Sequence, residues 1–199
     1  MPSRLVVLAS GSGTLFEALA EAARGDYPAR VTALVTDRGC EAEKRAERLG
    51  IEVVRVTPRE YDSRADWNRA LTKTATDYDP DFVVTAGFMR ILGPDFLSAF
   101  PGRIVNSHPA LLPAFPGAHA VRDALAYGVR VTGTTIHIVD EGVDTGPVLA
   151  QEPVAIELDD SEASLHERIK AVERRLLVEV VAGLVTKGVI IDGRKALIP

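Results

Sequence analysis

The chain has 199 residues, 46% apolar and 26% charged, with mean hydropathy +0.07 and formal charge −5. That length supports one continuous core and about one domain, and the apolar runs are too short for a bilayer span or a secretory leader, which indicates a cytoplasmic protein with no membrane partner. The lone Cys40 excludes an internal disulfide framework and any multi-cysteine zinc site, and the acidic balance argues against a nucleic-acid surface while leaving room for a small anion held by a few local donors.

In chain order, apolar β-branched runs alternate with helical patterns, the arrangement of a parallel sheet covered by helices. Arg4 to Ala9 predicts a buried strand, Leu15 to Ala23 a helix, Val31 to Val35 a second strand, and Glu41 to Leu49 a helix closed by Gly50. Ile51 to Val56 follows as a strand, residues 63 to 76 as a long helix, Asp81 to Ala86 as a fourth strand and Ile104 to Asn106 as the end of a fifth. Val121 to Tyr127 reads as a helix, and Val131 to Val139 and Pro147 to Ile156 as strands. Over residues 162 to 187, Leu165, Ile169, Val172, Leu176 and Val180 recur at helical steps and define one long helix. The tail VIIDGRKALI is a hairpin with Asp192-Gly193 at its turn. The fold class is α/β: a doubly wound, mostly parallel twisted sheet, Rossmann-like in its N-terminal half, with helices on both faces, then the long C-terminal helix and hairpin. No repeat or linker interrupts it, so residues 1–199 read as a single domain in two halves.

Three stretches carry chemistry. In LASGSGTLFEAL the first strand runs through a Ser/Gly turn into a helix, where free N–H groups and the positive helix end favour an anion. The turn lacks the Walker lysine and has Phe16 where a third glycine would stand, so a phosphate cradle and a plain tight turn are equal readings. In VNSHPALLPAFPG, Asn106 and His108 are two apart on an extended segment and leave the same side of the backbone. Pro109, Pro113 and Pro116 then fix φ and forgo their backbone donors, so covalent stiffness rather than a hydrogen-bond ladder shapes the loop. In IVDEGVDTGPV, Asp140 and Glu141 read as solvated turn charges. Asp144, bracketed by Gly142, Gly146 and Pro147, is placed to orient and charge a histidine.

NSHPALLPAFPGAHA, with GFMRILG upstream and DTGPVLAQ downstream, resembles the folate-dependent formyltransferases over essentially the whole chain. The resemblance implies transfer of the formyl group of 10-formyltetrahydrofolate, a co-substrate, to the amine of 5′-phosphoribosylglycinamide, a step of purine synthesis, with no metal and no acyl-enzyme. It makes Asn106 and His108 the stabilisers of the tetrahedral oxyanion, each donor worth about 2.7–4 kcal/mol. Asp144 raises the pKa of His108 and assists proton transfer. The ribonucleotide falls to Gly11, Ser12, Gly13, Thr14 and Leu15, and to Lys170 and Glu173 on the C-terminal helix. Leu15 stands where many members have Asn, which leaves only its backbone N–H. Arg64, Met89, Arg90, Ile91 and Leu92, with Asn106 and the loop Val139, Asp140, Glu141, Gly142, Val143 and Asp144, fall to the folate, Arg90 pairing with a carboxylate of it.

Without the resemblance, Lys170 and Glu173 read as an exposed ion pair sharing a helix face, and the two arginines as solvated. His119, Thr135 and His137 support the site or simply pack; His166 reads as surface and Cys40 as an inert thiol. The resemblance also makes Leu112–Pro113 a cis peptide, divides the chain into a phosphate-binding half (1–100) and a catalytic, folate-binding half (101–199), and leaves a homodimer open. Methionyl-tRNA and nucleotide-sugar formyltransferases share Asn-x-His and the Asp but usually add a domain, as do formyltetrahydrofolate hydrolases. A non-catalytic nucleotide-binding module would explain the glycine turn and leave Asn106, His108 and Asp144 coincidental.

Overall fold

The computed structural model describes residues 1–199, which divide into two compact units, 1–105 and 106–199. The first unit carries four parallel strands in the order β3-β2-β1-β4: β1 (Ser3–Ala9), β2 (Ala29–Thr36), β3 (Glu52–Arg55) and β4 (Phe82–Thr85). Every residue from Leu5 to Ala9 is fully buried, as expected of a parallel strand covered on both faces, which has no reason to alternate. Helix α1 (Thr14–Ala22) packs with α2 (Glu41–Leu49), and α3 (Arg64–Asp77) with α4 (Pro94–Ala99). Ser63 caps α3 by accepting the Asp66 N–H, and Trp67, fully buried, satisfies its indole N–H on the Val56 carbonyl at 2.8 Å. Helix α4 was not foreseen, because six residues are too few to show a period; Pro94 at its start is its one local signal.

Strand β5 (Ile104–His108) begins in the first unit and ends in the second, where the order continues β6-β7-β9-β8. Strands β6 (Val131–Ile138) and β7 (Val148–Ala155) are antiparallel; β9 (Lys195–Leu197) runs parallel to β7 and antiparallel to β8 (Ile190–Asp192). Helix α5 (Ala120–Tyr127) packs on α6 (Glu162–Lys187), and α6 on β6 and β7. Val121, Val154, Leu165 and Ile169 form the core there, the last two from the predicted stripe. Asp192 pairs with Lys195, so the hairpin turn is Gly193-Arg194, one residue later than expected, with Gly193 at φ 58°. The Leu112–Pro113 peptide is cis, as expected. No helix is long and apolar enough to cross a membrane.

Gly13 caps α1 at φ 72°, and a Cβ there would sit 2.5 Å from the Ala42 Cβ, whereas a Cβ on Gly11 would meet nothing within 4 Å. Packing of α1 against α2 therefore requires Gly13 whether or not a ligand binds. We expect Gly13→Ala to lose roughly 2–4 kcal/mol, combining a left-handed penalty with overpacking, and Gly11→Ala to stay within about 1 kcal/mol of the parent. Urea unfolding of both variants checks the difference, and equal effects would refute the packing explanation.

Candidate active site

Alternation along β5 sorts its last three residues. Asn106 and His108 leave one side, and Ser107 leaves the other, where its hydroxyl donates to the buried Glu173 carboxyl of α6 at 2.7 Å. Thr134 on β6 adds contacts to the same carboxyl at 3.4 Å and to the His108 carbonyl at 3.3 Å. Glu173 is 3% exposed, and burial pushes its carboxyl up against the opposing pull of Ser107 and Thr134. The reading of Lys170 and Glu173 as an exposed pair is thus corrected. Lys170 instead pairs with Glu167 at 2.9 Å, because helical spacing fixes a shared face but not how deeply each side chain sits.

His108 is 4% exposed. Its Nε2 lies 2.8 Å from the Phe115 carbonyl, which can only accept. Its Nδ1 faces Asp144 Oδ2 at 3.4 Å. The same Oδ2 accepts the Gly117 N–H at 2.7 Å. Asp144 Oδ1 lies 3.7 Å from His137 Nε2. His137 directs Nδ1 to the Ile138 carbonyl at 3.0 Å, which leaves Nε2 to accept from the Asn106 amide at 3.1 Å. His137 therefore orients the amide.

The electrostatics reverse one expectation. Burial pushes the His108 pKa below its ordinary value, and the attraction of Asp144 and the Phe115 carbonyl offset this only in part. The ring rests neutral at neutral pH. Burial pushes Asp144 the other way, upward, but its hydrogen-bonding surroundings, the Gly117 N–H among them, outweigh it and hold the group a carboxylate.

The proline loop is held by more than stiffness. The Thr135 hydroxyl donates to the Ala110 carbonyl at 2.7 Å and accepts the Leu112 N–H at 3.0 Å, and the Gln151 amide donates to Thr135 and to the Leu112 carbonyl. Thr135 is thus an anchor of the loop. His119 is an exposed residue at the start of α5. Asp140 folds its own turn, accepting from Gly142 N–H and Thr145, while Val143 is half exposed.

In the first unit, the turn after β1 presents exposed Gly11 and Ser12, whereas Leu15 is buried in the core and offers only its backbone. Met89 N–H reaches Ser10 Oγ at 2.9 Å. Arg64 donates to the Ile91 carbonyl and lies 4.7 Å over the Trp67 ring, so it braces this loop rather than standing free. Met89 and Ile91 are exposed and Leu92 is buried. Arg90 commits its Nε to Asp37 at 2.7 Å, and the Asp37 side chain is fully buried between Arg90 and Arg38. His166 is half-buried rather than on the surface, and Cys40 is a half-buried thiol that burial pushes up in pKa, hence unreactive.

Sequence reasoning missed Ser107, Phe115, Gly117, Gln151 and Asp37. Phe115 and Gly117 act through backbone atoms that no residue type announces. Asp37 did carry a signal, an acidic residue closing the second strand of a doubly wound sheet.

Residues 3–181 match the family model described as Formyl transferase. The chain is 58% identical over 195 residues, 98% of its length and 91% of the relative's, to the phosphoribosylglycinamide formyltransferase of Mycobacterium tuberculosis. It is 36% identical over 183 residues to the protein of the same name from Bacillus subtilis, covering 91% of this chain and 94% of that one. Among solved structures, glycinamide ribonucleotide transformylase 1 of Symbiobacterium toebii superposes with a TM-score of 0.96 at 40% identity, over 98% of this chain and 93% of that one.

The lowered pKa of His108 has a consequence for stability. An unfolded histidine titrates near about pH 6.5. Below that value the unfolded state takes up the proton first, so stability is full above about pH 6.5 and falls with acidification until the folded-state value is passed. We expect His108→Gln, which cannot titrate, to lose less stability than the parent between about pH 7.5 and about pH 5.5. Urea unfolding at the two pH values checks this. His166, also lowered by burial, titrates in both proteins and cancels in the comparison; identical losses would show that His108 is not the group.

Proposed function

We infer, because the chain belongs to the formyl transferase family, that it transfers a formyl group to the amine of 5′-phosphoribosylglycinamide, giving formylglycinamide ribonucleotide in de novo purine synthesis. Two observations support this: the relatives named above bear that activity in their names, and Asn106, His108 and Asp144 meet at one point of the second unit. The meeting carries the mechanism. We assign 10-formyltetrahydrofolate as the donor.

The substrate amine attacks the formyl carbon, and negative charge builds on the formyl oxygen. One Asn106 N–H donates to His137, and we assign the amide, on the same side of β5 as His108, to that oxygen. A preorganised donor of this kind is worth about 2.7–4 kcal/mol. The attacking nitrogen must shed a proton and N10 of the donor must gain one. Neutral His108 takes up the proton, and Asp144 at Nδ1 and the Phe115 carbonyl at Nε2 stabilise the imidazolium so formed. The proton then passes to N10 as the C–N10 bond breaks, leaving tetrahydrofolate and the formylated amine. Protons balance without any external acid. This differs from the sequence reading in one respect: His108 starts the cycle as a base and becomes charged during it.

Of the residues assigned to the ribonucleotide, Gly11 to Leu15 supply backbone N–H groups at the start of α1, suited to a phosphate. The apolar Met89 and Ile91 of the first unit, both exposed, are the kind of surface a pterin ring covers.

Incubation with 10-formyltetrahydrofolate and phosphoribosylglycinamide should give the formylated ribonucleotide, and its absence would overturn the reading. Asn106→Ala should lower kcat about 10²–10³-fold, and Asp144→Asn about 10²–10⁴-fold, with donor Kd little changed. Combining Asp144→Asn with His108→Ala should cost far less than the product of the single losses; multiplicative losses would mean the two act independently. Because the neutral ring is the working form, kcat/KM should fall as pH drops through the lowered His108 value, below about 6.5. A rate that instead rises on acidification would mean that the cation is the active species.

A further inference from the structure

Asp37 is the first residue past β2, Ser10 the first past β1, and Gly87 to Arg90 follow closely on β4. The order β2-β1-β4 therefore lays three segments side by side at the carboxyl ends of their strands. Buried Ser10 is the middle one. Its N–H donates to the Gly87 carbonyl at 3.1 Å, and its hydroxyl accepts the Met89 N–H at 2.9 Å. Arg90 donates through Nε to Asp37 Oδ2 at 2.7 Å, and Arg64 donates to the Ile91 carbonyl. The segment that exposes Met89 and Ile91 is thus tied at Gly87, Met89, Arg90 and Ile91.

The Asp37 side chain has no exposed surface. Burial pushes its carboxyl up, and hydrogen bonds from Arg38, Arg90 and Ser10 outweigh that and hold it a carboxylate, below its ordinary value. Stability does not account for so deep a charge, since exchanging a buried ion pair for apolar residues of similar volume is often neutral or stabilising. The two guanidiniums also meet it differently. Arg38 commits both Nε, at 3.2 Å, and a terminal nitrogen, at 2.9 Å. Arg90 commits Nε alone, which leaves the edge formed by its two terminal nitrogens outside the pair. Two cations against one anion leave one positive charge, and Arg90, partly exposed, is the side chain with an edge to offer.

We propose that Asp37 is a positioning residue for the formyl donor, holding Arg90 by Nε so that the edge of its terminal nitrogens receives a carboxylate of the donor's glutamate tail. This rests on the assignment of a reduced folate as donor. A free arginine loses rotamer freedom when a ligand immobilises it. Arg90 has lost that freedom before the ligand arrives, and it presents a planar fork matched to the two oxygens of a carboxylate. Arg38 keeps Asp37 charged from the other side, while Ser10 and Arg64 fix the backbone on either side of Arg90.

The test uses two probes, tetrahydrofolate and the tetrahydropteroyl amide, which ends at a neutral benzamide and carries no carboxylate. Calorimetry on the wild type should show tetrahydrofolate bound at least about tenfold more tightly than the amide. Asp37→Asn keeps the size and one acceptor but loses the charge. It should bring the two dissociation constants to within about threefold of each other while moving that of the amide less than about twofold, and unchanged amide binding itself reports that the variant is folded. Arg90→Met should erase the same preference. A merely structural role for Asp37 would weaken both probes together, and that result would overturn the proposal, as would a preference that survives in Asp37→Asn. Equal binding of the two probes by the wild type, or binding of neither, would overturn it without any variant. A wild type that prefers tetrahydrofolate but transfers no formyl group to phosphoribosylglycinamide would instead overturn the enzymatic assignment and leave the role of Asp37 standing.

Discussion

Period-two alternation along β5 is the constraint on which the site depends. It sends Asn106 and His108 to the chemistry and obliges Ser107 to enter the interior between them, where a lone hydroxyl would be costly. Glu173 answers that need from α6, and Ser107 and Thr134 in turn satisfy Glu173. Leaving such a buried polar group without a partner costs about 1–3 kcal/mol, more than the roughly 1 kcal/mol a typical hydrogen bond contributes net. The network therefore acts mainly by penalising every other register of the strand against α6 and β6. A one-residue slip would put Ser107 at the chemistry and both site residues inside.

The charge state of the site is settled by a competition between solvation and attraction. Asp144 lies close enough to His108 to favour an imidazolium, but removing a cation from water in so enclosed a place costs several kcal/mol. With His108 4% exposed, solvation prevails in the resting protein. The carboxylate is nevertheless retained, with the Gly117 N–H beside it. The arrangement is poised: the cation is disfavoured until a substrate amine supplies the proton, and is met by a counter-charge when it forms.

What the sequence disclosed follows from how local each signal is. The buried runs of β1 and β2 and the stripe of α6 depend on periodicity alone, and they appear within a residue or two of where they were read. Helix α4 is shorter than two turns and escaped notice. Asn106 and His108 were legible because period two needs no knowledge of the rest of the fold. Glu173 and the protonation of His108 were misjudged for a shared reason: both depend on depth below the surface, set by elements distant in the chain. The Phe115 carbonyl and Gly117 N–H were invisible, since every residue but proline has both groups and only backbone torsion decides where they point.

Asp37 closes β2, the position from which an acidic side chain in doubly wound sheets grips the ribose hydroxyls of a dinucleotide. Here that side chain has no exposed surface and is occupied by Arg90 and Arg38. To accept from a ribose hydroxyl this carboxylate would first have to give up both guanidinium partners, so the end of β2 serves as an internal brace for the segment that carries Arg90 rather than as a sugar acceptor.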